Sequence, residues 1–313
     1  MKISLLTDAP KHNLALMKIS AWHKKQGDEV LLNMPLFPAD YTYASVLFEK
    51  NIKLFNANEY GGPAYEIQDG KGWVSGDGLA GSVERWGMAR SDRRGISRIY
   101  KKLLQKMHDK IPDYSLFGLD YSLGYTFRSC LRSCKFCKVH LIENDMQHHS
   151  IWEFHDPKFK KICLLNNNTF FDKQWKETFE EIWDADLSVV DENGYDLRLL
   201  DDEKADALHK TKWATPLHFA WDNIEDEDKI ITGLKLLEKH HLRSTSNGVY
   251  VLIGFNTTEE EDLHRCQIID DYGLTPYPMP FKKTKKLMKF KRFINLHYYR
   301  KYKTIKEAWE AYR

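Results

Sequence analysis

Between residues 121 and 280 short strand-like runs alternate with longer segments of helical period, and this order limits the fold more than any other feature of the chain. The strand-like runs are 121–128, 161–166, 187–191, 216–222, 247–254 and 274–280, and helical segments at about 172–185, 201–210, 226–240 and 257–272 fill the gaps between them. A strand followed by a crossover helix returns to the sheet as a parallel neighbour, so the repeat predicts an α/β protein with parallel strands. About six such units predict a partial (β/α)6 barrel of the TIM type rather than an open sheet, with its site at the C-terminal strand ends.

The N-terminal part repeats the logic on a smaller scale. Lys2-Ile3-Ser4-Leu5-Leu6-Thr7 reads as a strand, with Asp8 and Pro10 as turn signals. Residues 13–25 place Leu14, Met17, Ile19 and Trp22 near helical spacing, and Gly27 marks the stop. Glu29–Met34 and Tyr41–Phe48 read as further strands, so a small Rossmann-like parallel sheet is expected. Nine of the 17 glycines fall between residues 61 and 95, which reads as a loop-rich connection. A basic helix at about 96–110 then leads to Ile111-Pro112-Asp113-Tyr114, a natural boundary. The division expected is therefore 1–112, a Rossmann-like domain; 113–282, the partial barrel; and 283–313, a basic, aromatic helical tail.

Composition excludes several classes. With 313 residues, 42% of them hydrophobic and 29% charged, the chain carries enough apolar mass for a core. No run of about 18 apolar residues occurs, so no membrane span is expected. The N-terminus enters a strand directly, without the apolar stretch of a signal peptide. Five cysteines are too few for a disulfide scaffold, which points to a reducing, cytoplasmic setting. The net charge of +2 hides a polarised chain: residues 282–313 hold twelve Lys and Arg against Glu307 and Glu310, and the remainder is net acidic.

Chemistry concentrates in Cys130-Leu131-Arg132-Ser133-Cys134-Lys135-Phe136-Cys137. Three cysteines spaced C-x3-C-x2-C within one loop can turn three thiolates toward a common group, and thiolates are what iron–sulfur clusters require. Three ligands rather than four leave one iron of a [4Fe-4S] cluster open to an exogenous group. The competing readings are chance spacing and a structural zinc site, whose fourth ligand would come from His140, His148, His149 or His155. The spacing favours the cluster.

With an aromatic residue, Phe136, directly before the third cysteine and a strand-like segment (Tyr121 to Arg128) before the loop, the motif resembles the C-x3-C-x-aromatic-C signature of radical S-adenosylmethionine (radical SAM) enzymes. The resemblance covers residues 115–282. It implies that Cys130, Cys134 and Cys137 hold the cluster, that the amino and carboxylate groups of S-adenosylmethionine (SAM) chelate the fourth iron, and that a 5′-deoxyadenosyl radical abstracts hydrogen from substrate. It also implies an electron donor such as flavodoxin or ferredoxin. The N-terminal stretches TDAPKHNLALMKISAWHKKQGDEV and GGPAY further resemble a group of largely uncharacterised bacterial and phage radical SAM proteins, whose first domain is similar to cobalamin-binding domains.

The resemblance extends unevenly to the strand ends. Asn166, Asn167 and Asn168 stand where the family has a Gly-Glu motif contacting the methionyl amine, and they lack its negative charge. Asp196 and Arg198 can pair and reach the SAM carboxylate or ribose. Asp222 ends the fourth strand, Gly254 and Asn256 resemble the adenine-binding backbone stretch, and Phe136 is placed near the adenine. The ordinary alternative makes Asn168, Asp201 and Asn256 helix caps.

Cys163, in an apolar strand, and Cys266, in a helix, read as buried thiols, so a single cluster is expected. Cobalamin is not expected, because the Asp-x-His-x-x-Gly loop that supplies an axial histidine is absent: Asp8 and His12 have the wrong spacing. A polar ligand at the helix start near Asn13 is the weaker reading beside a degenerate domain. The tail mixes its basic residues with Phe290, Phe293, Tyr298, Tyr299, Tyr302, Trp309 and Tyr312, a composition that suits a nucleic-acid surface through 282–313. Helical spacing of Leu287, Phe290, Phe293 and Ile294 favours amphipathic helices packed on the body instead. Substrate class stays open between nucleic acid and peptide or small molecule. The competing function is a nucleic-acid-binding or other metal-binding protein with a structural site and no SAM chemistry.

Overall fold

A computed structural model describes residues 1–9, 11–62, 64, 111–137, 139–142 and 146–312. The glycine-rich connection and the basic helix at 96–110 lie almost wholly outside the described residues. The chain divides into two compact units: Met1–Gly124 with Trp152–Phe159, and Tyr125–Ile151 with Lys160–Arg313.

The first unit is built on β1 (Lys2–Thr7), α1 (Leu14–Lys25), β2 (Glu29–Leu32), β3 (Tyr41–Ser45) and β4 (Glu59–Gly61). All pairings are parallel, in the order β2-β1-β3-β4. Asn13 starts α1 by accepting the Leu16 N–H, and the last turn carries His23, Lys24 and Lys25, basic groups that suit a helix C-terminus. Helical spacing buries Leu16 and Ile19 against Ile3, Leu5 and Tyr43. The opposite face of the sheet buries Leu6, Ala44 and Val46. Beyond a 3-10 turn at Tyr114–Phe117 comes β5 (Ser122–Gly124). The buried Tyr114 hydroxyl donates to the Leu123 and Phe154 carbonyls, at 3.1 and 2.5 Å. A Cβ on Gly124 would stand 2.3 Å from the Phe154 ring, so only glycine fits there.

The second unit begins with the cysteine loop and the single turn α2 (Val139–Ile142). It continues through β6 (Lys161–Leu164), α3 (Trp175–Asp184), β7 (Ser188–Val190), β8 (Tyr195–Asp196), α4 (Asp202–Lys210), β9 (Lys212–Trp213), β10 (His218–Trp221), α5 (Glu227–Lys239), β11 (Gly248–Ile253), α6 (Glu259–Asp271), β12 (Thr275–Pro280), α7 (Lys285–Asn295) and α8 (Ile305–Tyr312). The expected alternation is present. Two very short strands, β8 and β9, add to it; two residues each give too little pattern to read in advance.

Within this unit β6, β7 and β9 pair in parallel, and β12-β11-β10-β8 form a second parallel array. Strand alternation sends Phe219, Trp221, Val249, Val251 and Ile253 to the helix-covered face, where they join Phe179, Leu208, Ile230, Leu234 and Ile269 in one core. The tail belongs to that core. Phe290, Phe293, Tyr299 and Trp309 are all buried there, so the packing reading of these rings holds. Cys163 and Cys266 are fully buried, as expected of structural thiols. Among the described residues no helix is long and apolar enough to cross a membrane.

Candidate metal centre and strand-end site

Residues 125–137 form an irregular loop at the start of the second unit. Cys130, Cys134 and Cys137 are half-buried and outside any disulfide. The Cys137 N–H donates to the Cys134 carbonyl at 2.9 Å, closing a turn that keeps these two residues on one bend. Burial pushes the Cys134 thiol above its ordinary range, while the Arg198 guanidinium pulls the other way. The charge fields of Cys137, Cys130 and Asp222 also reach that thiol, which places the three cysteines in one electrostatic neighbourhood with Arg198 and Asp222.

What holds the loop is the run of asparagines after β6. The Asn166 Oδ1 accepts the N–H groups of Thr126 and Phe127, at 2.9 and 3.1 Å. Its Nδ2 donates to the hydroxyls of Thr126 and Thr169. Asn167 donates to the Arg128 carbonyl at 2.6 Å. The Asn167 bond to a carbonyl needs a donor, which a carboxylate in its place could not supply. Two of the three asparagines therefore act on the loop's own backbone.

Asn168 turns elsewhere. It stands before the 3-10 turn Thr169–Phe171 but makes no capping bond; its Nδ2 donates to Asp196 Oδ2 at 3.2 Å. Asp196 is buried and gathers five donors. Oδ2 accepts from Asn168, from Arg132 Nε at 3.1 Å and from Arg198 at 2.9 Å; Oδ1 accepts the Arg198 N–H and Nε, at 3.1 and 2.7 Å. Arg198 also donates to Asp226 Oδ2 at 2.8 Å. Burial alone would raise the Asp196 carboxyl, but the arginines beside it hold it below the usual range. Arg132, from between the first two cysteines, is thereby tied to the end of β8. The expected Asp196–Arg198 pair is present, with Arg132 and Asp226 as further members. Arg132 was legible only as one charge inside a cysteine motif, with nothing in the sequence to name its partner.

Asp222, after β10, is pushed up to about 6 by burial, against the pull of Arg198 and Arg265. Gly254 and Asn256 both adopt left-handed backbone, φ 71 and 53°. The Gly254 N–H donates to Asp262 Oδ2 at 3.3 Å, and a Cβ there would collide with Leu287 at 2.5 Å. Asn256 is not the cap of α6: Thr258 is, in a full capping box with Glu261. Asp201 does cap α4, through Lys204 N–H at 2.9 Å. The Phe136 ring meets Phe255 edge-on at 5.4 Å, and Phe255 meets Phe281 at 4.7 Å. The cysteine loop and the Gly254–Asn256 turn thus share an aromatic contact.

Arg265 is a functional-site neighbour that the sequence concealed. It is fully buried on α6 and donates to the carbonyls of Trp221, Asp222 and Leu252, at 2.9, 3.2 and 2.7 Å, and to Asp262 at 2.6 Å. It locks together the C-terminal ends of β10 and β11. An Arg three residues from an Asp on a charged helix reads as a surface pair, so no local signal marks it.

Two of the four histidines considered as zinc ligands have side-chain partners within the fold. His148 Nδ1 lies 2.6 Å from Asp172, and His155, in the first unit, bonds Ser122 at 3.0 Å. Among the described residues no three His, Cys, Asp or Glu side chains converge to hold a single ion. An iron–sulfur cube makes a different demand, because each thiolate takes its own iron and the sulfurs stand apart around it. In the first unit, Asn13 caps α1 and donates to Ser45 at 2.8 Å, so the side chain considered for a polar ligand has partners within the fold. No protein-family model, curated protein or solved structure matches this chain.

Proposed function

We propose that the chain is a radical SAM enzyme, with a Rossmann-like first domain and a partial (β/α)6 barrel as its second. The observation that carries this reading is the attachment of the C-x3-C-x2-C loop to the C-terminal ends of three strands. Asn166 and Asn167 clamp it to the end of β6, Arg132 ties it to Asp196 at the end of β8, and Phe136 joins it to the turn after β11. A loop fixed at so many points keeps its three thiols ready for one group rather than searching for it.

Cys130, Cys134 and Cys137 would hold a [4Fe-4S] cluster. Such a cluster, bound there and reduced by an outside donor, would supply the electron for cleaving SAM to methionine and a 5′-deoxyadenosyl radical. The protein's own part is to bind, orient and shield. Arg198 lowers the cost of thiolate charge at Cys134. Arg132 and Arg198, held by Asp196, offer guanidinium donors beside the cysteine loop for a carboxylate. The left-handed turn at Gly254 and Asn256 gives backbone that an adenine edge can approach closely. Asn166, Asn167 and Asn168 are neutral, so the methionyl amine would be met by carbonyl oxygens or by a neighbouring carboxylate such as Asp222. An outside reductant of the flavodoxin or ferredoxin kind would be required.

The test is spectroscopic. Anaerobic reconstitution with iron and sulfide should give about four of each per chain. The dithionite-reduced protein should show an electron paramagnetic resonance signal whose g-values move on adding SAM. Cys134→Ala should abolish both. A protein that takes up one zinc and no sulfide would overturn the reading.

A further inference from the structure

Alternate residues on β10, β11 and β12, those opposite the helix-packed core, line a second feature: a cavity of about 520 Å³. Its wall is formed by His218, Tyr250 and Tyr277 from successive strands, Glu192 and Asn193 from the turn after β7, and Lys291 from α7. The rings make a continuous aromatic surface. His218 lies parallel to Tyr250 at 5.1 Å, and Tyr250 meets Tyr277 edge-on at 5.7 Å. Asp191 fixes the first ring: its Oδ2 accepts the His218 N–H at 2.6 Å and lies 3.3 Å from Nδ1, while Oδ1 accepts the Gly194 N–H. Lys291 holds its ammonium 4.7 Å from the centre of the Tyr277 ring.

Two chains of contact link the cavity's wall to the cysteine loop. Asn193 Nδ2 donates to the carbonyl of Asn166, the residue that clamps the loop. Met279 also lines the cavity, and two residues along the same strand direction Phe281 begins the ring series Phe281–Phe255–Phe136 that ends beside Cys137.

Three kinds of ligand can be weighed against this wall. A neutral apolar molecule would desolvate Lys291 and Glu192 without matching either, which is costly. A nucleotide could set its phosphate on Lys291 but would bring further anionic charge to a wall that already holds Glu192 with Asp191 next to it. A molecule with a flat ring, a carboxylate and an ammonium matches all three features: stacking for the rings, Lys291 for the carboxylate, Glu192 for the amine. We propose that this cavity binds a free aromatic α-amino acid. The inference rests on the proposed radical chemistry only in naming that amino acid the substrate; the binding itself does not depend on it.

The test is isothermal titration of the full chain, as isolated, with L-tryptophan, tryptamine, indole-3-propionate and uridine monophosphate. L-Tryptophan should saturate one site, and removing either of its charges should weaken binding by about tenfold or more. Lys291→Gln should bind L-tryptophan and tryptamine equally, and Glu192→Gln should do the same for L-tryptophan and indole-3-propionate. Unchanged melting curves would show that both variants fold. The proposal is overturned if L-tryptophan fails to saturate, if the nucleotide binds more tightly, or if the two variants keep the wild-type ranking. Since no cluster is needed for this titration, its failure leaves the iron chemistry standing, and failure of cluster assembly leaves the cavity's ligand standing.

Discussion

Replacing Asn166 by alanine removes one acceptor from two backbone N–H groups at once. The residue is 2% exposed, and its Oδ1 serves both Thr126 and Phe127, themselves buried. Each buried donor left without a partner costs about 1–3 kcal/mol, whereas the Thr126 and Thr169 hydroxyls can turn to other partners. The loss should therefore be about 2–5 kcal/mol. For a unit of this size that corresponds to a fall in Tm of about 5–15 °C. The neighbouring Asn167→Ala deletes one bond from a more accessible side chain, to the Arg128 carbonyl, and should cost about 0.5–1.5 kcal/mol. Scanning calorimetry of both variants, with amide hydrogen exchange over 126–137, measures the contrast directly. Exchange should accelerate across the loop in Asn166→Ala far more than in Asn167→Ala. An Asn166→Ala loss no larger than that of Asn167→Ala, with equal exchange across 126–137, would refute the claim that Asn166 is the clamp of the cysteine loop.

Arg265→Met should destabilise by about 3–5 kcal/mol in urea melts, because it leaves the buried Asp262 carboxylate without its cation; the double change with Asp262→Leu should recover part of that, and a double variant as unstable as the single would count against the lock between β10 and β11. Asp222 titrates near 6 in the fold, above its ordinary value, because burial disfavours its charge. Between those two values the folded state holds the proton more tightly than the unfolded chain, so stability falls as pH rises toward about 6 and is level above it. Asp222→Asn should flatten that part of a Tm-against-pH curve and raise Tm at pH 7; an unaltered slope would sink the assignment.

The strand–helix alternation was legible because short apolar, β-branched and aromatic runs such as Gly248–Ile253 stand between stretches with a period of 3.6 such as Glu227–Lys239. The burial of Phe290 and Phe293 could be read the same way, from spacing along one helix face. Partners distant in sequence were not legible. Nothing around Asn166 says that its side chain reaches back forty residues to Thr126, and nothing around Arg265 says that it is buried under two strand ends. Polar residues at strand ends look alike whether they cap a helix, clamp a loop or face a ligand. Asn256 shows this well: its position before a helix suggests a cap, while the capping box two residues later, at Thr258, does that work and leaves Asn256 in a left-handed turn.

The account depends most directly on whether the cysteine loop supports SAM cleavage. The measurement is anaerobic: reconstitute with iron and sulfide, reduce with dithionite, add SAM, and quantify 5′-deoxyadenosine by mass spectrometry beside Cys134→Ala. The account predicts 5′-deoxyadenosine from the native chain and none from the variant. Cluster assembly without any 5′-deoxyadenosine, with L-tryptophan present or absent, or equal product from the variant, would contradict it.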